Sequence, residues 1–317
     1  MEKTNHLQLI FGNQTLGITG NNYSYIFNYA KGGLESLNIS GKEWLYRIPR
    51  PTFWRATTDN DRGNDFSRKS SVWLGADLFS HCVKCHLQIN GESIPVPVIP
   101  LNKYPQYQQA SEVILKYTFA TATDPVTYVD VTYTVSNLGV IIINFYYHGC
   151  ENLPELPALG LRLIMPTVAS KYIYKGLAGE TYPDRMNFAS AGTFEMQGLP
   201  VTPYLVPQDC QMHMQSQYLK IYRNATLNNA DNKQDEFTLS LQQINAPFNF
   251  SCLPYTAEEL ENAFHIEDLP LPRRTVLCIY GPVRGVGGID SWGSDVGKQY
   301  QIYSQKDYKF SFEIVPY

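Results

Sequence analysis

The sequence predicts an all-β fold: a large antiparallel β-sandwich with one or two short helices. Three observations carry this reading. Tyrosine is over-used at 23 residues, with 15 phenylalanines beside it, and aromatic side chains suit the pleated, half-buried surface of a strand. Apolar and polar residues alternate in several runs, which is the period of a strand with one buried face. Short clusters of Gly, Asn, Asp and Ser stand between those runs, at spacings expected of antiparallel meanders.

Taken in order, "FGNQTLG" from Phe11 and "GNN" from Gly20 are turns between N-terminal strands. "SSVWLGADLFSHCVK" from Ser70 is expected to be helical, because Val72, Trp73, Ala76 and Phe79 or Ser80 fall roughly on one stripe. "NGES" from Asn90 turns the chain again, and "VILKYTFATA" from Val113 and "VTYVDVTYTV" from Val126 alternate as strands. After the turn "SNLG" from Ser136, "VIIINFYYHG" from Val140 reads as a strand buried on both faces. "LNNADNKQD" from Leu227 is a loop. In "TAEELENAF" Thr256 and Glu259 have the spacing of a capping box, which predicts about two helical turns. "YKFSFEIVPY" from Tyr308 closes the chain as a strand.

Composition narrows the function classes. With 317 residues, 44% hydrophobic and 17% charged, the chain is globular rather than disordered. A net charge of -4 and the lack of a basic run give no footprint for nucleic acid or a membrane surface. The longest apolar run, "VIIINFYY", is too short to span a bilayer, and "MEKTNHLQLIFGNQ" has no leader pattern, so the cytoplasm is the expected location. Six cysteines in so long a chain are too sparse for a disulfide scaffold and are expected as thiols. No repeat, low-complexity tract or linker divides the sequence, and residues 1–317 are expected to form a single domain.

Several strings invite chemistry. "HCVKCH", His81 to His86, has the Cys82-x-x-Cys85-His86 spacing of haem attachment, zinc or a redox dithiol. Haem attachment requires export, the ligand set is too small for zinc, and no strand-helix start of a βαβ unit accompanies it, so coincidence is the preferred reading. "YGPVRGVGGIDSWG" suggests a phosphate loop, but Asp290 stands where the third glycine belongs. The carboxylates fall into three sets: Asp59 with Asp61, Glu180 with Asp184, and Asp290 with Asp295. Any of them could in principle serve glycoside hydrolysis. Acids in such strings more often cap turns or pair with an arginine, here Arg55, Arg62 or Arg185. No nucleophile-base pair is visible, and no metal-ligand set is expected in this chain. Trp292 is different, since an indole in "GVGGIDSWGSDVG" has no core of its own to bury it. A displayed indole beside acids suits the apolar C–H face and the hydroxyls of a sugar, with core packing as the even alternative.

Three strings taken together, "GLESLNISGKEWLYRIPRPTFWRATTDNDRGND", "GLAGETYPDR" and "YGPVRGVGGIDSWGSDV", closely resemble the C-terminal domain of the large β-galactosidases of glycoside hydrolase family two. The likeness runs from about residue 6 to the end of the chain. It implies an antiparallel supersandwich, related in fold to galactose mutarotases. A chain covering this domain alone looks like the small subunit of the two-chain β-galactosidases, whose partner is a large catalytic subunit in a heterodimer.

The same resemblance implies that no catalytic residue lies in this chain. The acid/base and nucleophilic glutamates, Mg²⁺ and a monovalent cation belong to the large subunit, and this chain needs no cofactor of its own. Lactose and other β-galactosides are the implied substrates, hydrolysed with retention and with some galactosyl transfer. Trp292 matches a substrate-stacking tryptophan, with Asp290 and Ser291 beside it. Gly63, followed by Asn64 and Asp65, matches the hinge of a mobile loop reaching to about Lys69. Thr57 departs from the family's usual proline and is expected to loosen the turn before Asp59. An alternative reading is a standalone mutarotase-like epimerase or carbohydrate-binding module. It would need a histidine and a carboxylate to converge, as His148 with Glu151 or His213 with Asp209.

Overall fold

The computed structural model describes residues 6–97 and 108–316, so residues 1–5 of the opening string lie outside the described residues. In chain order the strands are β1 (Leu7–Phe11), β2 (Thr15–Gly20), β3 (Tyr23–Asn28), β4 (Gly33–Ile39), β5 (Lys42–Glu43), β6 (Arg47–Thr52), β7 (His81–Ile89), β8 (Glu92–Ile94), β9 (Gln109–Ala110) and β10 (Glu112–Ala120). There follow β11 (Tyr128–Ser136), β12 (Ile141–Tyr147), β13 (Gly160–Met165), β14 (Lys171–Leu177), β15 (Ala191–Gln197), β16 (Met212–Ser216), β17 (Tyr218–Arg223), β18 (Phe237–Gln243), β19 (Phe248–Leu253), β20 (Thr275–Tyr280) and β21 (Tyr308–Val315). All pairings among the described residues are antiparallel.

The strands form a six-stranded sheet ordered β5-β4-β3-β2-β1-β9, a ten-stranded sheet ordered β15-β14-β17-β18-β21-β12-β11-β10-β7-β8, and a five-stranded sheet ordered β16-β19-β20-β13-β6. The two smaller sheets meet where β4 runs beside β6, and both pack on the large one. Phe27 on β3 lies edge-on to Tyr133 on β11 at 5.4 Å, and the buried Tyr25 hydroxyl donates to Gly139 O at 2.8 Å. At the other end Phe250 on β19 meets Tyr172 and Tyr174 on β14, and Phe248 meets Phe312 on β21. The aromatic surplus therefore fills the space between two layers. Such rings bury large areas and favour offset or edge contacts.

Local chemistry sets the turns. Asn90 and Gly91 both adopt left-handed backbone, the geometry a two-residue hairpin between right-twisted strands requires, and they join β7 to β8. On β10 and β11 the expected alternation holds, with Val113, Leu115 and Tyr117 facing Val131, Tyr133 and Val135 in the core. On β12 it corrects an expectation. Residues 141, 143, 145 and 147 are buried, but Asn144 is exposed and Ile142 and Tyr146 are partly so, so this apolar run buries one face only.

The helices number four α-helices among the described residues, more than the one or two expected, and all are short: α1 (Asp59–Gly63), α2 (Phe66–Lys69), α3 (Ala76–Phe79) and α4 (Ala257–Glu261). The capping box of Thr256 and Glu259 starts α4 as its spacing predicts. The single helix expected from Ser70 does not form. Gly75 takes left-handed backbone at φ +71° and separates a 3₁₀ turn, Ser71–Trp73, from α3, and "HCVK" belongs to strand β7. Trp73 is fully buried and Ser80 buried, whereas Phe79 faces solvent. No helix among the described residues is long and apolar enough to cross a membrane.

Trp73 ties this helical segment to both layers. Its ring packs on Phe53 at 5.4 Å and Tyr147 at 6.4 Å, and its Nε1–H donates to Pro154 O at 3.1 Å. Replacing it with alanine opens a large cavity and orphans the Pro154 carbonyl. Trp73→Ala is expected to lower stability by about 3–5 kcal/mol, read as a lower urea midpoint with an unchanged slope; a loss under about 1 kcal/mol contradicts this packing.

Candidate functional site

The site begins with one arginine. Arg55, at the end of the "TFWR" string, is buried beside Asp61, the N3 residue of α1, with Nη2 at 2.9 and 3.0 Å from the two carboxylate oxygens and Nε at 3.2 Å from Oδ2. Asp61 also accepts from the Thr58 amide at 3.2 Å, while Thr58 Oγ1 accepts from the Asp61 amide, which closes a capping box. Burial alone would raise the Asp61 carboxyl, but the Arg55 guanidinium and the Thr58 cap outweigh it and hold its pKa below the ordinary value. The remaining donors of Arg55 reach across the chain to Arg284 O at 3.1 Å and Gly285 O at 2.9 Å. One guanidinium thus joins α1 to the start of the glycine-rich loop.

That loop is held from below by "GETYPDR". Asp184 accepts from the amides of Val286 and Gly287 at 2.8 to 3.1 Å, and Arg185 donates to Gly287 O. Asn60 on α1 donates to Val286 O at 2.8 Å. Two glycines are demanded by this close approach. Gly288, at φ +72°, would place a Cβ 2.7 Å from the Asn60 amide nitrogen, and Gly293, at φ +80°, would place one 2.8 Å from Gly63 O.

A second buried arginine locks the far side. Arg284 donates to Glu155 and Asp295 at 2.5 Å each, and its guanidinium lies over the Phe66 ring at 3.6 Å. Asp295 in turn accepts from Asn64 Nδ2 at 3.2 Å. Asn64 also accepts the Phe66 amide, Asp65 takes left-handed backbone at φ +63°, and Lys69 donates to Asn64 O at 2.8 Å. The segment expected as a mobile loop from Gly63 is thus the end of α1, a tight turn and α2. Gly63 itself has open space where a Cβ would stand and no positive φ.

Above this frame Trp292 is 91% exposed. Asp290 shapes the turn that carries it: Oδ1 accepts from the Trp292 amide at 2.9 Å and the Ser294 amide at 3.3 Å, and Oδ2 from the Ser294 hydroxyl at 2.5 Å. Those bonds, the Ser294 hydroxyl first, hold the Asp290 carboxyl below its usual value. Ser291 is exposed beside the indole. Of the two readings open at Trp292, display prevails over core packing.

The structure corrects the expectation for Thr57. Its amide and hydroxyl both donate to Glu261 on α4, at 2.5 and 2.6 Å, and Trp54 Nε1 donates to the same carboxylate at 3.3 Å. Glu261 therefore clamps the approach to Asp59, where a looser turn was expected. The acid sets resolve into structural roles. Asp61 pairs with Arg55, Asp59 pairs with Arg62 on the surface, Glu180 accepts from Thr202, and Arg185 serves a carbonyl instead of an acid.

The histidine-carboxylate pairs of the alternative reading do not form. His148 Nε2 lies 2.8 Å from Asp130, not Glu151. His213 bonds to the Tyr172 hydroxyl and Gly179 O among Tyr174 and Phe250, and burial lowers it to about 4. Asp209 accepts instead from Tyr182, and burial pushes it up to about 6. "HCVKCH" lies on β7, where a bulge opposite Thr118 and Phe119 turns Cys82 and Cys85 toward the same core. Burial raises both thiols, Cys85 to about 12. Among the described residues no group of three or more His, Cys, Asp or Glu is placed to hold a metal ion.

Sequence reasoning missed Arg284, Glu155, Asn60 and Glu261. Arg284 stands inside the glycine-rich string already singled out, and an arginine that cannot be solvated in so tight a loop was the available signal; Glu155 and Glu261 gave none, because their partners are far away in the chain.

A family profile described as the beta galactosidase small chain matches residues 19–314. The beta-galactosidase small subunit of Latilactobacillus sakei is 55% identical over 316 residues, 99% of either chain. The beta-galactosidase of Halalkalibacterium halodurans is 31% identical over 313 residues, which make up 97% of this chain and 28% of that one. Against such longer relatives this chain spans less than a third of the length. A solved structure described as a putative mutarotase from Salmonella typhimurium aligns with 99% of this chain and 94% of its own at 11% identity, with a TM-score of 0.44.

The Arg55–Asp61 pair yields a pH test. The folded pKa of Asp61 lies below its unfolded value near 3.9, so the ionised carboxylate supports the fold above about pH 4 and that support is lost as pH falls through the folded value. Asp61→Asn strands a buried guanidinium and is expected to cost about 3–5 kcal/mol at neutral pH. The gap from the parent protein in denaturant unfolding should narrow below about pH 4; a gap independent of pH contradicts the pairing.

Proposed function

The chain belongs to the beta galactosidase small-chain family, and from that premise we propose that it completes the active site of a separate large catalytic subunit in a heterodimer. In this reading residues 1–317 act as one β-sandwich domain, supported by a main apolar core that draws on all three sheets, and the complex works in the cytoplasm. The substrate is a terminal β-galactoside such as lactose, and galactosyl transfer accompanies hydrolysis. The large subunit provides the acid/base and nucleophilic glutamates, which give a retaining reaction, and holds the Mg²⁺ and the monovalent cation. This chain provides no catalytic group and no cofactor ligand.

The observation that carries the reading is an exposed indole on a loop whose backbone is fixed from several sides. Trp292 is exposed, yet its turn is fixed by Asp290 and Ser294 and its loop by Asp184, Arg185, Arg55 and Arg284. A loop backbone that is already held in place loses little conformational freedom when a sugar stacks on the indole it carries. Asp290 and Ser291 lie at its edge, where hydroxyls of the leaving sugar would fall. Contact with the displayed ring raises kcat only as far as it strengthens toward the transition state, whereas contact made equally with bound substrate acts on kcat/KM through KM.

Gly63 is proposed as the hinge of the 63–69 segment. Its open surroundings permit rearrangement, and the contacts that such a motion must break are Asn64 Nδ2 to Asp295 and the packing of Gly293 on Gly63 O.

Trp292→Ala separates the functional role from a structural one. In the complex it is expected to lower kcat/KM for lactose about ten- to a hundredfold, equivalent to about 1–3 kcal/mol. The melting temperature of the isolated chain should move by about 1 °C or less, since exposed substitutions fall within about 0.5 kcal/mol. Unchanged lactose kinetics in a variant that still binds the large subunit would overturn the stacking role.

A further inference from the structure

A second concavity lies along β6 and β13. Two adjoining cavities of about 400 Å³ each share Tyr46, Arg47, Leu78, Arg162 and Ile164 as lining. Pockets of this size accept small molecules. Helix α4 stands between this groove and the Trp292 frame: Glu258 faces the groove, while Glu261 clamps Thr57 and Trp54.

The charges in the groove do not balance locally. Arg162 and Arg50 are directly opposed across the β13–β6 ladder, an arrangement that like charges disfavour. Arg162 is compensated by Asp77 at 2.6 Å and Glu258 at 3.4 Å, and Lys31 by Glu35 at 3.5 Å. Glu259 is committed to the cap of α4. Every carboxylate lining the groove thus has a partner. Among the described residues Arg47, Arg50, Arg273 and Arg274 form no ion pair.

Two of these guanidiniums are built into the walls. Arg50 lies over the Phe119 ring at 5.3 Å, and its Nη1 is buried with no acceptor. Arg274 stacks on Tyr46 at 4.0 Å, its Nη1 donates to Pro166 O at 2.9 Å, and its Nε is buried without an acceptor. In addition, neither oxygen of the buried Asp77 accepts a well-directed hydrogen bond, although Oδ2 touches Arg162. Planar guanidiniums that lack a carboxylate partner match phosphate or carboxylate oxygens. Tyr46, Leu78 and Leu271 offer the apolar surface.

We propose that this groove is a second ligand site, independent of Trp292, for a small polyhydroxylated anion, a phosphorylated or oxidised sugar. Its acid group sits between Arg50 and Arg47, and its ring lies along Tyr46 and Leu78 toward Arg274.

Calorimetric titration of the full chain with glucose 6-phosphate, gluconate, inorganic phosphate and glucose tests this. Saturable binding of glucose 6-phosphate or gluconate, with phosphate weaker and glucose silent, supports it; which of the two binds tells phosphate from carboxylate recognition. Arg50→Met should weaken that binding about tenfold or more, the value of one lost charge-assisted contact. Because Arg50 is partly buried, the exposed Arg47→Ser is the companion variant and should weaken binding without altering the near-ultraviolet circular dichroism spectrum. No saturation by either sugar acid, equal binding of neutral glucose, or binding indifferent to both substitutions overturns the proposal. So does loss of the complex with the large subunit in Arg47→Ser when no sugar acid binds, since that outcome assigns the groove to an acidic protein segment.

Discussion

The buried guanidinium of Arg55 is the constraint on which the site depends. It spends its donors on three partners at once, the Asp61 carboxylate and the carbonyls of Arg284 and Gly285, the latter two 229 and 230 residues away in the chain. A buried charge is tolerable only when its donors are satisfied, so Arg55 cannot stay in place unless α1 and the glycine-rich loop are both in theirs. That coupling makes two distant strings behave as one object. Arg284 repeats the device on the other side, with Glu155, Asp295 and the ring of Phe66. Between the two arginines the loop has little freedom, and its glycines are there because backbone approaches backbone too closely for a side chain.

Rigidity of the frame explains how the backbone beneath an exposed indole is kept in place. Large apolar side chains at the surface are ordinary when scattered, so exposure alone argues for nothing. What distinguishes Trp292 is the number of unrelated segments engaged to hold its turn: "GETYPDR" beneath, α1 beside, and an Asx turn from Asp290 within. A loop backbone fixed in this way before anything binds is suited to recognition, because less ordering remains to oppose association. The sheets behind serve as the foundation. Their aromatic core fixes the ends of β6 and β20, from which Arg55 and Arg284 depart.

Much of this was legible. Alternation located β10 and β11, the Thr256 and Glu259 spacing located α4, and the odd setting of Trp292 in a core-free turn singled it out, with display and core packing evenly weighed. The failures have physical causes. The N-terminus of α1 is capped by Thr58 and Asp61, and an aspartate at N3 is a weaker written signal than the glutamate of α4, so "TTDNDRG" read as a turn. Around Gly75 the apolar spacing matched a helix, but the left-handed glycine broke the run and the β-bulge at "HCVK" drew the remainder into a sheet. The single-faced burial of β12 depends on what covers its other side, which no local pattern records. Arg284, Glu155 and Glu261 matter through partners distant in sequence, and that kind of meaning appears only once the sheets have brought the segments together.

Of the four tryptophans, Trp44, Trp54 and Trp73 are buried and Trp292 alone is exposed, which offers a direct test of the central claim. Fluorine NMR of this chain labelled with 5-fluorotryptophan, mixed with unlabelled large subunit, follows each ring separately. The account predicts that the Trp292 resonance shifts on complex formation and shifts again on adding a β-galactoside, while the three buried signals stay nearly fixed. A Trp292 resonance that keeps its free-chain position in the sugar-bound complex would contradict it.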